Sequence, residues 1–345
     1  MRARKLGIEI GELPPGQFNA ITDVPGVEVG HTTLCEGQSV RTGVTVVLPH
    51  PGNMGADPLF AGCHRINGNG ELTGLEWVRE SGMLSSPIAI TNTFSVGVVR
   101  DALCSTGHTG GLPVVGETWD GDLNDIHGMH VASDHLHSAL ASARSGPVPE
   151  GNVGGGTGMI CHEFKGGIGT SSRLVEQAGC TVGVLVQANH GRRERFRVMG
   201  TPVGERLTED RVPLPTSERT WPPSSSIIIV AATDAPLLPH QCDRLAARTT
   251  FGIARTGGVG ENSSGDLAIA FATENRGLLE QSPSIPLTML SDELINHLFD
   301  AVIDATEEAI VNAVLQAETM TGHLGATATA LDGDVLREAL AELSP

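Results

Sequence analysis

Five short runs of this chain are apolar almost from end to end: Gly43 to Leu48, Ile88 to Thr93, Thr181 to Val186, Ser226 to Ala232 and Leu267 to Thr273. A strand that faces water on one side alternates apolar and polar residues, so runs without alternation need cover on both faces. Helical patterns at Glu71 to Ser81, Asp134 to Ser145, Pro239 to Thr249 and Ser291 to Thr319 can supply that cover. In the last of these Leu294, Leu298, Val302, Ala305, Ala309, Ala313 and Ala317 recur at helical spacing. Ile295, Phe299, Ile303, Ile310 and Val314 widen that stripe until little solvent face remains, which predicts a buried helix. Ser291, Asp292 and Glu293 predict its N-terminal cap. Strands and helices do not alternate regularly, so an α+β layered sandwich is expected rather than a doubly wound sheet. The 345 residues, 39% of them hydrophobic, suffice for one large domain. The Pro- and Ser-rich stretch from Gly204 to Ser226 reads as a surface linker within it.

Charge narrows the partners. Lys and Arg number 22 against 40 Asp and Glu, a formal net charge of -18, and no basic cluster exceeds the short Arg192-Arg193-Glu194-Arg195 run. Nucleic acid and anionic membrane are therefore not expected as partners. No apolar run approaches the ~20 residues of a membrane helix, and the basic N-terminus leads into Gly, Glu and Pro without a signal-like core, so a cytoplasmic location is expected. The six cysteines contain no CxxC pair, which predicts buried free thiols rather than a disulfide framework or a zinc knuckle.

Glycine-rich segments mark where backbone comes close to something else. Gly151-Asn152-Val153-Gly154-Gly155-Gly156-Thr157-Gly158 lacks both the Lys-Ser/Thr ending of a P-loop and the phase of a dinucleotide loop, so a nucleotide is not expected. The paired histidines His127 and His130, and His135 and His137, follow no metal-ligand spacing, and no metal or other cofactor is predicted. A nucleophile elbow of the GxSxG kind is absent.

What remains is Arg255 to Asp266, in which a glycine-rich loop delivers Ser263-Ser264-Gly265-Asp266 to the first position of a strand. That is how a chain presents a hydroxyl nucleophile whose own amine becomes the base after backbone cleavage. A second constellation, Thr306-Glu307-Glu308, lies in the middle of the apolar helix, where two carboxylates are costly unless hydrogen-bonded or functional. Asn189, in a Gly-flanked turn after a buried strand, can aim an amide at a developing oxyanion.

With these residues in view the chain resembles the self-processing aminopeptidases of the L-aminopeptidase/D-esterase and β-peptidyl aminopeptidase kind, with nylon-oligomer hydrolases as relatives. The resemblance runs through Ile21 to Val27, Gly116 to Gly121, Glu150 to Gly158, Phe164 to Gly169, Gln187 to Gly191, Thr233 to Leu237, Ser264 to Asp266 and Glu307 to Ile310. It implies a four-layer αββα sandwich similar to that of N-terminal nucleophile hydrolases but differently connected. It also implies a precursor that cuts itself into residues 1–263 and 264–345, or one residue earlier, before Ser263. Ser264 would then be the nucleophile, with its freed α-amine as base. Thr306 and Glu308 would support it by the family's hydroxyl-x-carboxylate arrangement, and Ser291 with Glu293 is a rival pair. Glu117 would bind the substrate ammonium and Trp119 would wall the pocket. The activity implied is hydrolysis of N-terminal residues from short peptides, amides or esters by a cofactor-independent homotetramer. A non-catalytic small-molecule binder on the same fold, or an acyltransferase, would be the alternatives.

Overall fold

A computed structural model describes residues 1–216 and 225–343. In chain order the strands of the N-terminal half are β1 (Glu28–Glu36), β2 (Val40–Leu48), β3 (Leu59–Gly68), β4 (Met83–Leu84), β5 (Ile88–Asn92) and β6 (Val114–Thr118). Helices α1 (Leu75–Ser81), α2 (Val96–Ser105) and α3 (Ser133–Ala141) accompany them. A tight hairpin, β7 (Ile160–Cys161) and β8 (Phe164–Lys165), leads into β9 (Gly167–Val175) and β10 (Cys180–Asn189). Then come β11 (Ser226–Thr233), α4 (Pro239–Arg255), β12 (Gly265–Ala272), α5 (Ile295–Leu315), β13 (Met320–Thr321), β14 (Thr327–Ala328) and α6 (Gly333–Leu343).

The strands form a four-stranded sheet in the order β1-β2-β5-β6 and a six-stranded sheet in the order β4-β3-β12-β11-β10-β9. Residues in β11 alternate between two cores. Ile227, Ile229 and Ala231 pack with Leu245, Ala246, Val302 and Ala305 of α4 and α5. Ile228, Val230 and Ala232 pack with Val47, Ile88, Ile90 and Val114 of the facing sheet. A third core joins the outer face of the four-stranded sheet, through Val44, Val46 and Ala89, to α2 and α3 through Val99, Leu103, Leu136 and Ala139. The order is thus helices, sheet, sheet, helices, and both faces of each central strand are apolar because both are covered. The αββα sandwich expected from the sequence is the fold.

Small residues set the spacing of these layers. A Cβ at Gly169 would lie 1.9 Å from the Ala309 carbonyl oxygen, so β9 can receive α5 only because position 169 is glycine. On β12 the helix-facing residues are Ala268, Ala270 and Ala272, which lets α4 lie close to the strand that follows Ser264.

Three local expectations need correcting. Helix α5 begins at Ile295, not at Ser291; the Ser291 hydroxyl accepts from the Glu293 amide in an exposed turn before it. Part of the presumed linker is packed: Leu207 and Val212 are buried in the helix-side core, which polar and Pro-rich flanks concealed. Its remaining part, 217–224, lies outside the described residues. Of the cysteines, Cys63, Cys161, Cys180 and Cys242 are buried as expected, but Cys35 and Cys104 are exposed.

Candidate active site

Ser264 stands immediately before β12, in the middle of the six-stranded sheet. The turn that delivers it is closed by its own amide, which donates to the Glu261 carbonyl at 2.7 Å. Gly265 enters the sheet by donating to Ser225 O at 3.1 Å and to Ser226 Oγ at 3.2 Å. From the other side the Ser264 carbonyl accepts the Asn69 amide at 3.1 Å and Asn67 Nδ2 at 2.7 Å. The residue is 1% exposed, yet it lines a small cavity with Ser225, His190, Gly191, Ile253, Gly257, Gly258, Glu261 and Asp266.

Two contacts give this position chemical direction. The Ser264 hydroxyl donates to Asp266 Oδ1 at 2.5 Å. Burial pushes the Asp266 carboxyl up to about 6, opposed by that hydrogen bond and reinforced by the negative charge of Glu261. The other contact fixes the preceding peptide: Asn69 Nδ2 donates to the Ser263 carbonyl oxygen at 2.8 Å. A hydroxyl with an acceptor for its proton therefore lies next to a peptide carbonyl that is already hydrogen-bonded.

Neither Asn67 nor Asn69 was singled out from the sequence, and Asp266 was noted without a role. The available signal was Asn67-Gly68-Asn69-Gly70, a turn-type repeat ending β3. Only the pairing of β3 with β12 brings it onto Ser264, and that pairing carries a register shift between Asp266 and Leu267.

Glu117, at the end of β6, reaches the same edge. A Cβ at Gly70 would lie 2.9 Å from Gly265 Cα and 3.1 Å from Glu117 Oε1, so a single glycine separates this carboxylate from the residue after Ser264. Glu117 accepts the Glu71 amide at 2.9 Å and the Thr93 hydroxyl, and burial pushes its carboxyl up. Trp119 follows, edge-on to Phe94 with centroids 5.6 Å apart.

Asn189 lies level with Gly265 in the sheet, opposite Ser226, which in turn lies opposite Gly265. Its amide is already committed, however. Nδ2 donates to Trp119 O at 2.9 Å and Oδ1 accepts the Ile160 amide at 2.7 Å. In this state Asn189 ties β10 to the Trp119 segment and has no donor aimed at the Ser263 carbonyl; Asn69 has.

Thr306 and Glu308 are not brought to Ser264. The Thr306 hydroxyl donates to Val302 O at 2.7 Å, and its side chain packs on Gly252 of α4. Glu308, fully buried, is held by Arg173 at 2.7 Å, Arg4 at 3.1 Å and Asn19 at 2.5 Å. The physical reason is helical geometry: residues two apart on α5 point in different directions, and neither faces the Ser264 cavity. Glu307 turns a third way, accepting the Met199 amide at 2.9 Å with Arg255 at 3.6 Å. The rival pair, Ser291 and Glu293, is exposed and likewise remote from the cavity lining.

This architecture and site define an aminopeptidase built on a variant of the N-terminal nucleophile hydrolase sandwich. The sequence model of Peptidase family S58 matches residues 19–328, and the chain belongs to that family. It is similar to a β-peptidyl aminopeptidase, BapA, of Sphingosinicella microcystinivorans, at 46% identity over 98% of this chain and 91% of the relative. Among solved structures, a Burkholderia sp. β-aminopeptidase superposes with a TM-score of 0.93 at 52% identity, covering 100% of this chain and 99% of the other. The L-aminopeptidase D-Ala-esterase/amidase of Ochrobactrum anthropi superposes with a TM-score of 0.90 at 42% identity, covering 99% of each chain. The activity is accordingly that of a hydrolase acting as an aminopeptidase or amidase, with a serine nucleophile implied by the family.

Proposed function

We propose that the chain is made as a precursor, cuts itself between Ser263 and Ser264, and then uses the new N-terminal serine to release N-terminal residues from short peptides and amides, β-residues included. The observation that carries this reading is the pair of contacts around one peptide: Ser264 Oγ to Asp266, and Ser263 O to Asn69.

In the first reaction Asp266 takes the hydroxyl proton as Ser264 Oγ attacks the Ser263 carbonyl carbon. The negative charge that develops on the Ser263 oxygen meets the Asn69 amide donor. Collapse breaks the bond between Ser263 carbon and Ser264 nitrogen, the nitrogen leaves as an amine carrying a proton, and Ser263 is held as an ester on Oγ. Water then hydrolyses the ester and leaves Ser263 as a carboxylate. In the second reaction the freed α-amine, with an ordinary value near 8, accepts the Ser264 proton during attack on substrate and returns it to the leaving amine. Glu117 is the group we assign to the substrate ammonium, because only Gly70 stands between its carboxylate and Gly265. The β-residue preference rests on likeness to the β-peptidyl aminopeptidases.

The test is intact mass of the wild type and of Ser264→Ala, with N-terminal sequencing of any small fragment. A fragment beginning at Ser264 that is absent from the variant is the expected result. One beginning at Ser263 would move the nucleophile by one residue, and an uncut chain with undiminished peptidase activity would overturn the reading.

A further inference from the structure

A second cluster of reactive side chains adjoins the Ser264 cavity without entering the chemistry above. Cys161, His162 and His190 are all buried, and each offers a ligand atom within 4.8 Å of the others. Cys161 Sγ and His190 Nδ1 are 3.8 Å apart. The hairpin between β7 and β8 turns on His162 and Glu163, both at positive φ, 49° and 61°. Asn-Gly is the usual choice for such a turn, and a histidine there is unusual. Gly191 makes room for the imidazole: a Cβ at that position would lie 2.3 Å from the His162 ring.

Hydrogen bonding leaves this cluster incomplete. His162 Nδ1 is 3.2 Å from the Arg192 carbonyl and donates to it, so Nε2 is the unprotonated nitrogen. That Nε2 is buried and has no partner among the described residues, and His190 Nε2 is in the same position. A thiol proton shared with His190 Nδ1 would place the other ring proton on Nε2, where no acceptor meets it. The cluster as a hydrogen-bonded unit thus strands two buried nitrogens, at a cost that native interiors rarely accept.

We infer that Cys161, His162 and His190 form a binding site for one soft divalent transition metal, zinc(II) being the ion whose ligand preference fits best. Thiolate and neutral imidazole are zinc's ligands, at ~2.3 and ~2.0 Å, and such ligand atoms end up ~3.5 Å apart around a tetrahedral ion. The observed separations close to that by small side-chain rotations. The Arg192 carbonyl on His162 Nδ1 is the backing contact that metal-bound histidines carry on their other nitrogen. Both imidazoles are buried and offer a nitrogen to the ion as neutral ligands. The thiol gives up its proton to solvent as the metal–sulfur bond forms, and a water completes the fourth position. His190 also lines the Ser264 cavity. The site is independent of the self-cleavage reading and takes no part in it.

The experiment uses tag-free protein, stripped with chelator and titrated with zinc or cobalt(II). About one equivalent should bind, with a thiolate-to-cobalt charge-transfer band and a rise in unfolding temperature with zinc concentration. Cys161→Ser and His162→Gln, checked for fold by circular dichroism, should lose the band and the thermal shift. Should either variant fail to fold, anomalous scattering at the zinc edge from zinc-soaked wild-type crystals decides: a peak between the three side chains supports the site. No uptake, a band that persists in both folded variants, or an anomalous peak elsewhere overturns it.

Discussion

Asp266 and Glu308 are both carboxylates buried in the six-stranded half of the molecule, and their surroundings are opposite. Glu308 is saturated: two guanidinium groups and an amide converge on it. Asp266 has a serine hydroxyl and no basic partner among the described residues, and burial raises its carboxyl to about 6. The first arrangement pins the N-terminal segment and β9 to α5; the second leaves a carboxylate ready to accept a proton. A buried acid is thus a functional marker only when its charge has not been neutralised by neighbours.

Removing a partner from the saturated site should give the largest change in stability. Arg173→Met leaves Glu308 short of its shortest ion pair and should cost about 3 kcal/mol, read by urea denaturation, while the fraction of folded chains that cut themselves is unchanged. If Arg173→Met instead blocked cutting in folded protein, the division between the two carboxylates would fail. At the other site the effect should be on rate. Asp266→Asn keeps the shape but cannot take the Ser264 proton, and self-cleavage followed by mass spectrometry should slow by ~10³ with the fold intact.

pH sharpens the contrast further. Below about 6 Asp266 is protonated, so precursor cutting should fall by ~10-fold per pH unit there, a limb that is missing in Asp266→Asn. Stability runs the other way. A carboxyl raised from 3.8 is harder to ionise in the folded state, so its stabilising contribution is full below 3.8 and lost as pH rises through about 6. The smallest expected effect is that of Thr306→Val. Among the described residues its hydroxyl serves the Val302 carbonyl, and cutting and turnover should both stay within about twofold of wild type. A large loss of turnover with normal cutting would restore Thr306 to the site.

The layers were legible because Ile227 to Ala232 and Leu267 to Ala272 are apolar on both faces, a pattern that only a covered strand produces. β1 and β3 were not, since His31, Thr32, Thr33 and His64 to Asn67 interrupt their apolar residues. Ser264 was legible because glycine-rich loop and strand onset are local signals. Its partners came from β3, nearly two hundred residues away in sequence, and no local signal gives a strand register. Thr306 and Glu308 lie outside the lining of the Ser264 cavity, for the converse reason. A buried helix was expected around them, but the sequence did not disclose that Arg4, Asn19 and Arg173 would converge on the carboxylate.

The position of β12 has a consequence for any cut made before it. The strand is flanked by β3 on one side and β11 on the other, and the segment that follows it carries α5, the most buried helix of the structure. Severing the chain at that point would release no product. The two pieces would remain interlocked like fingers of clasped hands, migrating as one on a sizing column and as two on a denaturing gel. Such a break would also have to follow folding, because the strand has to be seated before Asn69 can reach the bond.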